Sequence, residues 1–249
     1  MDATRLTHRR ALRLLAIGDC NTEGCRQLPR QASIPAQVAM SLEQRGYIVD
    51  VQNWGCTMST TREGLARLQA QPIAADLVLI NFGLVDAWVT TIPKIYIPYY
   101  PDSFLRKWGR KILKMVKRRL RHPRLERFVP QGEVVSLAEY RANIERMISA
   151  IRSANPDAEI VLWGTVPVQH DEIRNRKLID YNNTLRELAQ MKNIRYIEAG
   201  EIVKQLPVDE AYLDAVHLSE PALRLIADAI MSCVFQTEFE SQSSSRIAA

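Results

Sequence analysis

The chain has little of what builds a metal or disulfide protein: four cysteines and four histidines in 249 residues. There is no CxxC pair and no zinc-type Cys/His spacing, so neither a structural metal nor a disulfide framework is expected. Cys20, Cys25, Cys56 and Cys233 are read as reduced thiols, Cys25 and Cys233 as ordinary small apolar residues. No stretch approaches the roughly 20 apolar residues of a spanning helix. The N-terminal MDATRLTHRRALRLLAIG holds only a short apolar run broken by Arg13, too polar for a secretory signal. The expected location is therefore the cytoplasm. There is no internal repeat, and composition suggests disorder only at residues 236–249, QTEFESQSSSRIAA, expected to be a frayed tail.

What is present is enough for a full core. With 47% apolar and 24% charged residues, the chain reads as one domain over residues 1–235 with an insertion at about 92–133. Apolar, β-type runs at 12–18, 47–55, 76–83, 158–164 and 194–199 alternate with helical patterns near 34–46, 61–70, 137–153, 175–191 and 220–234. Near-continuous apolar strands separated by amphipathic helices predict a parallel sheet covered on both faces. Thr60-x-x-Glu63 and Ser136-x-x-Glu139 have capping-box spacing, and Ser219 is placed to cap the helix that opens Glu220-Pro221.

Two short motifs carry chemistry. Gly18-Asp19-Cys20-Asn21-Thr22 follows the first apolar run, and Asp214-Ala215-Val216-His217 precedes the last helix. Together they offer a nucleophile, a base and a carboxylate to orient the base, the parts that acyl transfer needs. In open α/β sheets functional groups gather beyond the carboxyl ends of the strands. The loops there read Gly-Asp-Cys-Asn-Thr, then Asn53-Trp54-Gly55-Cys56-Thr57, then Gly83-Leu84-Val85-Asp86.

These three loops and the Asp214-x-x-His217 motif resemble, in order and spacing, the four blocks of the SGNH (GDSL-type) hydrolases. Gly164-Thr165-Val166-Pro167 and Tyr181-Asn182 add to the likeness, which covers about residues 12–234 apart from the insertion. The resemblance implies a three-layer α/β/α sandwich with a five-stranded, mostly parallel, flavodoxin-like sheet. It implies a nucleophile at Cys20, where the family has Ser, with His217 as base and Asp214 as the carboxylate that holds it. It implies an oxyanion hole from the backbone N–H groups of Cys20 and Gly55, and from an Asn side chain where this chain has Val85. No cofactor is implied.

The first replacement is chemically permissive, because a thiolate is the better nucleophile. A Cys at a helix N-terminus beside a His can have its pKa lowered from about 8.5 into the range of about 3.5–7.5. The second removes a donor, and losing one oxyanion donor typically costs about 10²- to 10³-fold in rate. Asn53 and Asn81 are the candidate substitutes. Asp19, Asn21, Asp86 and His170 are further cleft candidates, with bland readings beside them: Asp19 as a loop brace, Asp86 as an N-cap, Gly55 as a turn residue, His170 and Asp171 as solvated. For Asp214 and His217 the bland reading is a loop carboxylate and a helix-start His.

The insertion is the other informative feature. Residues 104–128 hold eleven Lys or Arg against one Glu, a net of +10 in a chain whose total is +5, which leaves about −5 elsewhere. Leu105, Trp108, Ile112, Met115 or Val116, and Leu120 recur at three or four residues. That spacing sets an apolar stripe opposite the cations Arg106, Lys107, Arg110, Lys111, Lys114, Lys117, Arg118 and Arg121. A Tyr- and Pro-rich lead-in runs from Ile92 to Pro101. The segment suits a helix at an anionic membrane surface, at the inner face for a cytoplasmic protein, and equally a solvated basic helix packed on its own domain. No nucleic-acid partner is expected, because no binding module accompanies the charge.

The function expected is an acyl-ester hydrolase or acyltransferase using Cys20, His217 and Asp214. Its substrates would be small-molecule or glycan acyl esters, acylated sugars or lipid-linked molecules near a membrane. The alternative is a non-catalytic relative that binds a glycan, an acyl carrier or a membrane partner.

Overall fold

A computed structural model describes residues 10–93, 104–120 and 129–247, and side chains among them except Arg106 and those beyond Phe235. The extreme N-terminus, the Tyr/Pro lead-in beyond Pro93 and Arg121 lie outside the described residues, as does the side chain of Arg106.

Five parallel strands form the central sheet: β1 (Ala11–Gly18), β2 (Ile48–Asn53), β3 (Leu77–Asn81), β6 (Glu159–Trp163) and β7 (Arg195–Ile197), in the order β2-β1-β3-β6-β7. This is the doubly wound order with β1 and β3 side by side, the flavodoxin-like switch point at which ligands bind such sheets. Because side chains alternate across a strand, each run feeds two cores. Leu15, Ile17, Val78, Ile80, Ile160 and Leu162 pack on one face against α3 (Thr61–Ala70), α5 (Leu137–Ala154) and α6 (Glu172–Lys192). Leu14, Ala16, Leu77, Leu79, Val161 and Trp163 pack on the other against α2 (Ile34–Gln44) and α7 (Glu220–Ile247). Burying each large aliphatic side chain contributes about 1.5–3 kcal/mol, so two dry layers fix the strand register.

Local signals act as expected at α3, where the Thr60–Glu63 capping box is closed in both directions. At α5 only half of the second box forms. Ser136 caps the helix by accepting from the Glu139 amide, but the Glu139 carboxylate takes a bidentate pair from Arg62 at 2.6 Å and ties α5 to α3. The final helix continues to Ile247, past residue 236, where composition suggested a frayed tail.

The insertion leaves through a neck that the sequence did not announce. β4 (Val89–Thr91) and β5 (Gln131–Glu133) pair antiparallel, and Val135 N–H donates to the Asp86 carbonyl at 3.1 Å. The neck therefore begins at the Gly83–Asp86 loop. Beyond it lies α4 (Phe104–Leu120), the basic amphipathic helix. No helix among the described residues is long and apolar enough to cross a membrane.

Candidate active site

Cys20 opens α1 (Cys20–Glu23), a single helical turn entered directly from β1. The entry is tight. A Cβ at Gly18 would sit 2.1 Å from Thr22 Oγ1 and 2.4 Å from the Asn81 carbonyl, so only Gly lets β1, β3 and α1 converge there. Asp19 caps the turn by accepting from the Asn21 N–H at 3.0 Å and is fully buried. Asn21 is also buried. Asp19 therefore braces the loop and does not line a cleft.

Cys20 is 6% exposed and packs with Leu84 and Val168, against which Val216 lies. Burial pushes its thiol well above its ordinary value, and the carboxylates of Asp19 and Glu23 add to the rise against the amides of Cys20 and Asn21. The resting group is thus a neutral thiol. The lowered pKa anticipated from a helix start beside a His does not occur, because desolvation outweighs the amides.

The histidine loop is preorganised by its own carboxylate. Asp214 Oδ1 accepts the amides of Val216 and His217, both at 2.8 Å, while Oδ2 lies 2.7 Å from His217 Nδ1. The Leu213 N–H returns to the His217 carbonyl at 2.8 Å, and Tyr212 and Leu218 close the loop with an antiparallel bridge. Partial burial raises the Asp214 carboxyl, but the hydrogen bonds from the His217 ring and the two amides win and hold it below its ordinary range. An ionised Asp214 fixes the proton on Nδ1 and leaves the Nε2 lone pair free to act as a base. Val216, the neighbour of His217, packs against the cluster of Cys20, Leu84 and Val168, and Gln169 N–H donates to the Ala215 carbonyl at 2.7 Å, binding the loop after β6 to the same place. Among the described residues the sulfur makes no hydrogen bond to His217.

The other predicted site residues divide sharply. The Gly55 N–H is already engaged, donating to Asn53 Oδ1 at 2.9 Å. Gly55 is required on steric grounds, since a Cβ there would stand 2.1 Å from the Glu23 nitrogen. Asn53 spends its amide on the Thr22 and Glu23 carbonyls at 3.0 and 3.3 Å. Asn81 donates to the Trp163 carbonyl at 2.8 Å between β3 and β6. Neither asparagine supplies the donor that Val85 lacks, because strand and turn carbonyls claim both amides first. Asp86 is fully buried and accepts from the Thr61 N–H at 3.0 Å and its hydroxyl at 2.7 Å, tying the third loop to α3. Burial raises the carboxyls of both Asp19 and Asp86 to about 7. His170 is exposed, with a left-handed backbone (φ 59°). Asp171 caps α6 through the Arg174 amide at 3.0 Å.

One residue was missed. Arg174, in the first turn of α6, is only 9% exposed, and its guanidinium carbon lies 4.6 Å from the centre of the Trp88 ring. It pairs with Asp171 at 3.1 Å. Burial lowers its pKa, opposed by Asp171 and, least of all, by the charge that a Cys20 thiolate would carry. An arginine at helix start reads as a surface residue. Only the packing of α6 beside the Gly83–Asp86 loop buries it over Trp88. An open groove of about 570 Å³ lies nearby, lined in part by Pro167, Glu172, Arg176 and Arg186, but neither Cys20 nor His217 borders it. Among the described residues no group of three or more His, Cys, Asp or Glu is placed to hold a metal ion.

The profile of the GDSL-like lipase/acylhydrolase family matches residues 16–225. Among solved structures the fold is like that of TesA, with a TM-score of 0.60 at 17% identity over 89% of this chain and 97% of that one. It is equally like a lipase/acylhydrolase from Enterococcus faecalis, with a TM-score of 0.60 at 20% identity over 88% of this chain and 93% of that one. A catalytic mutant of Axe2, an acetylxylan esterase from Geobacillus stearothermophilus, gives 0.58 at 21% identity over 90% and 94%. None of the curated proteins matches the chain in sequence. With the parallel order β2-β1-β3-β6-β7 and a sequence match spanning most of its length, the chain belongs to the GDSL-like lipase/acylhydrolase family.

Proposed function

We propose that this protein is an acyl-ester hydrolase or acyltransferase in which Cys20 carries the acyl group. The observation that carries the reading is the preset Asp214–His217 pair, at 2.7 Å, on a loop whose Val216 packs against the small cluster that holds Cys20. Cys20 Sγ attacks the acyl carbonyl as His217 Nε2 takes the thiol proton, and the protonated ring then gives that proton to the departing alkoxide. The thioester left on Cys20 is opened by water or by a sugar hydroxyl, deprotonated by His217. The proton then returns to the sulfur. Because the resting thiol is neutral, its proton leaves with bond formation, as a serine's does, and not before it.

The Cys20 N–H receives the developing oxyanion. With Val85 mute and the Gly55 N–H committed to Asn53, the Arg174 guanidinium, buried over Trp88 at the start of α6, supplies the compensating charge. The substrate class is an activated or sugar-borne acyl ester. The acetylxylan esterase of like fold supports that class. Intact mass after incubation with a p-nitrophenyl ester tests the reading. One acyl group should appear on the wild type and none on Cys20→Ala, while His217→Ala should acylate far more slowly. A wild type that never acquires the acyl group removes the proposal.

A second reading, a non-catalytic relative that binds an acylated glycan or acyl carrier, is favoured by the same committed Gly55 amide and buried thiol. It predicts saturable binding of an acylated oligosaccharide without turnover, unchanged in Cys20→Ala.

A further inference from the structure

Helix α4 is two-faced to a degree that its own domain does not use. At 3.6 residues per turn, Phe104, Leu105, Trp108, Ile112, Met115 and Val116 fall on one arc. Lys107, Arg110, Lys111, Lys114, Lys117 and Arg118 fall on the other, Arg119 alone intrudes on the apolar side, and residues 104–120 contain no acid. The helix meets the rest of the molecule along the border between the arcs. Leu113, Lys117 and Leu120 are half-buried there, and Lys117 Nζ reaches Thr90 Oγ1 at 3.3 Å. A basic helix packed on its own domain would hide the apolar arc. Here Phe104, Leu105, Trp108, Ile112, Met115 and Val116 are 78, 81, 61, 40, 53 and 39% exposed.

What can cover such a face is limited by the charges beside it. A second copy of the helix would bury apolar against apolar, but would also bring together two sets of eight Lys or Arg from a segment that carries no acid of its own. A nucleic acid would satisfy the cations and leave Phe104, Leu105 and Trp108 in water. An anionic lipid surface satisfies both arcs at once, with phosphates for the cations and the headgroup–acyl boundary for the apolar side chains. The helix has 17 residues, about 25 Å at 1.5 Å per residue, and lies in such a plane without crossing it.

We propose that α4 docks this protein onto membranes rich in anionic lipid, apolar arc inward. The antiparallel neck β4–β5 joins the helix to the Gly83–Asp86 loop, with Val134 N–H donating to the Trp88 carbonyl at 2.9 Å and Val135 N–H to that of Asp86 at 3.1 Å. Docking therefore anchors the molecule beside Trp88, the residue between that loop and β4, whose ring stacks on Arg174. The inference stands apart from the acyl chemistry and survives if Cys20 proves inert.

Co-sedimentation of the full chain with phosphatidylcholine vesicles, with and without phosphatidylglycerol, tests it. Binding is expected to the anionic vesicles, with little to the neutral ones and marked weakening at high salt. The triple variant Lys111→Glu, Lys114→Glu, Arg118→Glu should bind anionic vesicles about 10²-fold or more weakly, since each cation near such a surface contributes about a factor of five. Trp108→Glu with Ile112→Glu should abolish binding while leaving the thermal unfolding of the domain unchanged. No binding to anionic vesicles overturns the proposal. So does binding indifferent to Trp108→Glu with Ile112→Glu, or a dimer in sedimentation equilibrium that the same pair of substitutions dissolves.

Discussion

Asp214 holds His217 twice, through the ring nitrogen at 2.7 Å and through the backbone amide at 2.8 Å. One carboxylate therefore sets both the tautomer of the base and the turn that presents it. Asp214→Asn keeps an oxygen for the amides and loses the charge that fixes the proton on Nδ1. Turnover of an acyl ester should fall on the order of 10⁴-fold with little change in far-UV circular dichroism. A variant within a few-fold of wild type would mean that His217 does not act as a base.

The buried neutral thiol gives the opposite of a reactive-cysteine signature. With Cys20 only 6% exposed and its thiol raised by burial, iodoacetamide at neutral pH should modify the Cys20 peptide more slowly than the Cys25 peptide. Peptide mass spectra over time decide this. If Cys20 labels first, the resting state is a thiolate.

Val85 and Arg174 share one task in this account, so their variants should move in opposite directions. Val85→Asn restores a side-chain donor and should raise kcat by about 10²- to 10³-fold, while Arg174→Gln should lower it by a similar factor. Thermal melts of both variants separate this from misfolding, since Arg174 also pairs with Asp171 at 3.1 Å. Equal kcat in wild type and Arg174→Gln would take the arginine out of the reaction.

The two buried carboxylates make stability depend on pH in an unusual sense. Burial raises Asp19 and Asp86 from 3.8 to about 7, so between about pH 4 and pH 7 the folded chain holds more protons than the unfolded one. Their contribution is complete below about pH 4 and is lost as pH rises through about 7. The urea midpoint should fall over that window, and Asp86→Asn should flatten part of the slope. A midpoint that climbs steadily from pH 4 to pH 7 in both proteins contradicts burial of protonated acids. Both carboxyls are fully buried, and their hydrogen bonds only partly offset the cost of a buried charge, which is why ionisation is unfavourable there.

How far the sequence could be read depended on the range of each interaction. Leu77–Asn81 and Glu159–Trp163 are continuous apolar runs and declare themselves as buried strands. The three-residue strands Val89–Thr91 and Gln131–Glu133 have too few residues to show a period, and they pair across the whole insertion. The Asp214–His217 turn was legible because its hydrogen bonds span only two or three residues. Gly55 was legible as a position and not as a donor, since the carboxamide of Asn53 decides where its N–H points.

The sheet, its covering helices, the motif loops at the strand ends and the amphipathic character of Phe104–Leu120 are legible along the chain, because each follows from local periodicity and short-range hydrogen bonding. Tertiary packing settles that Cys20 is buried and neutral, that Asn53 and Asn81 spend their amides on the scaffold, that Arg174 is buried over Trp88 and that the apolar arc of α4 faces outward. Desolvation, competition for donors and exposure are properties of the surroundings, and those surroundings come from segments far apart in the chain.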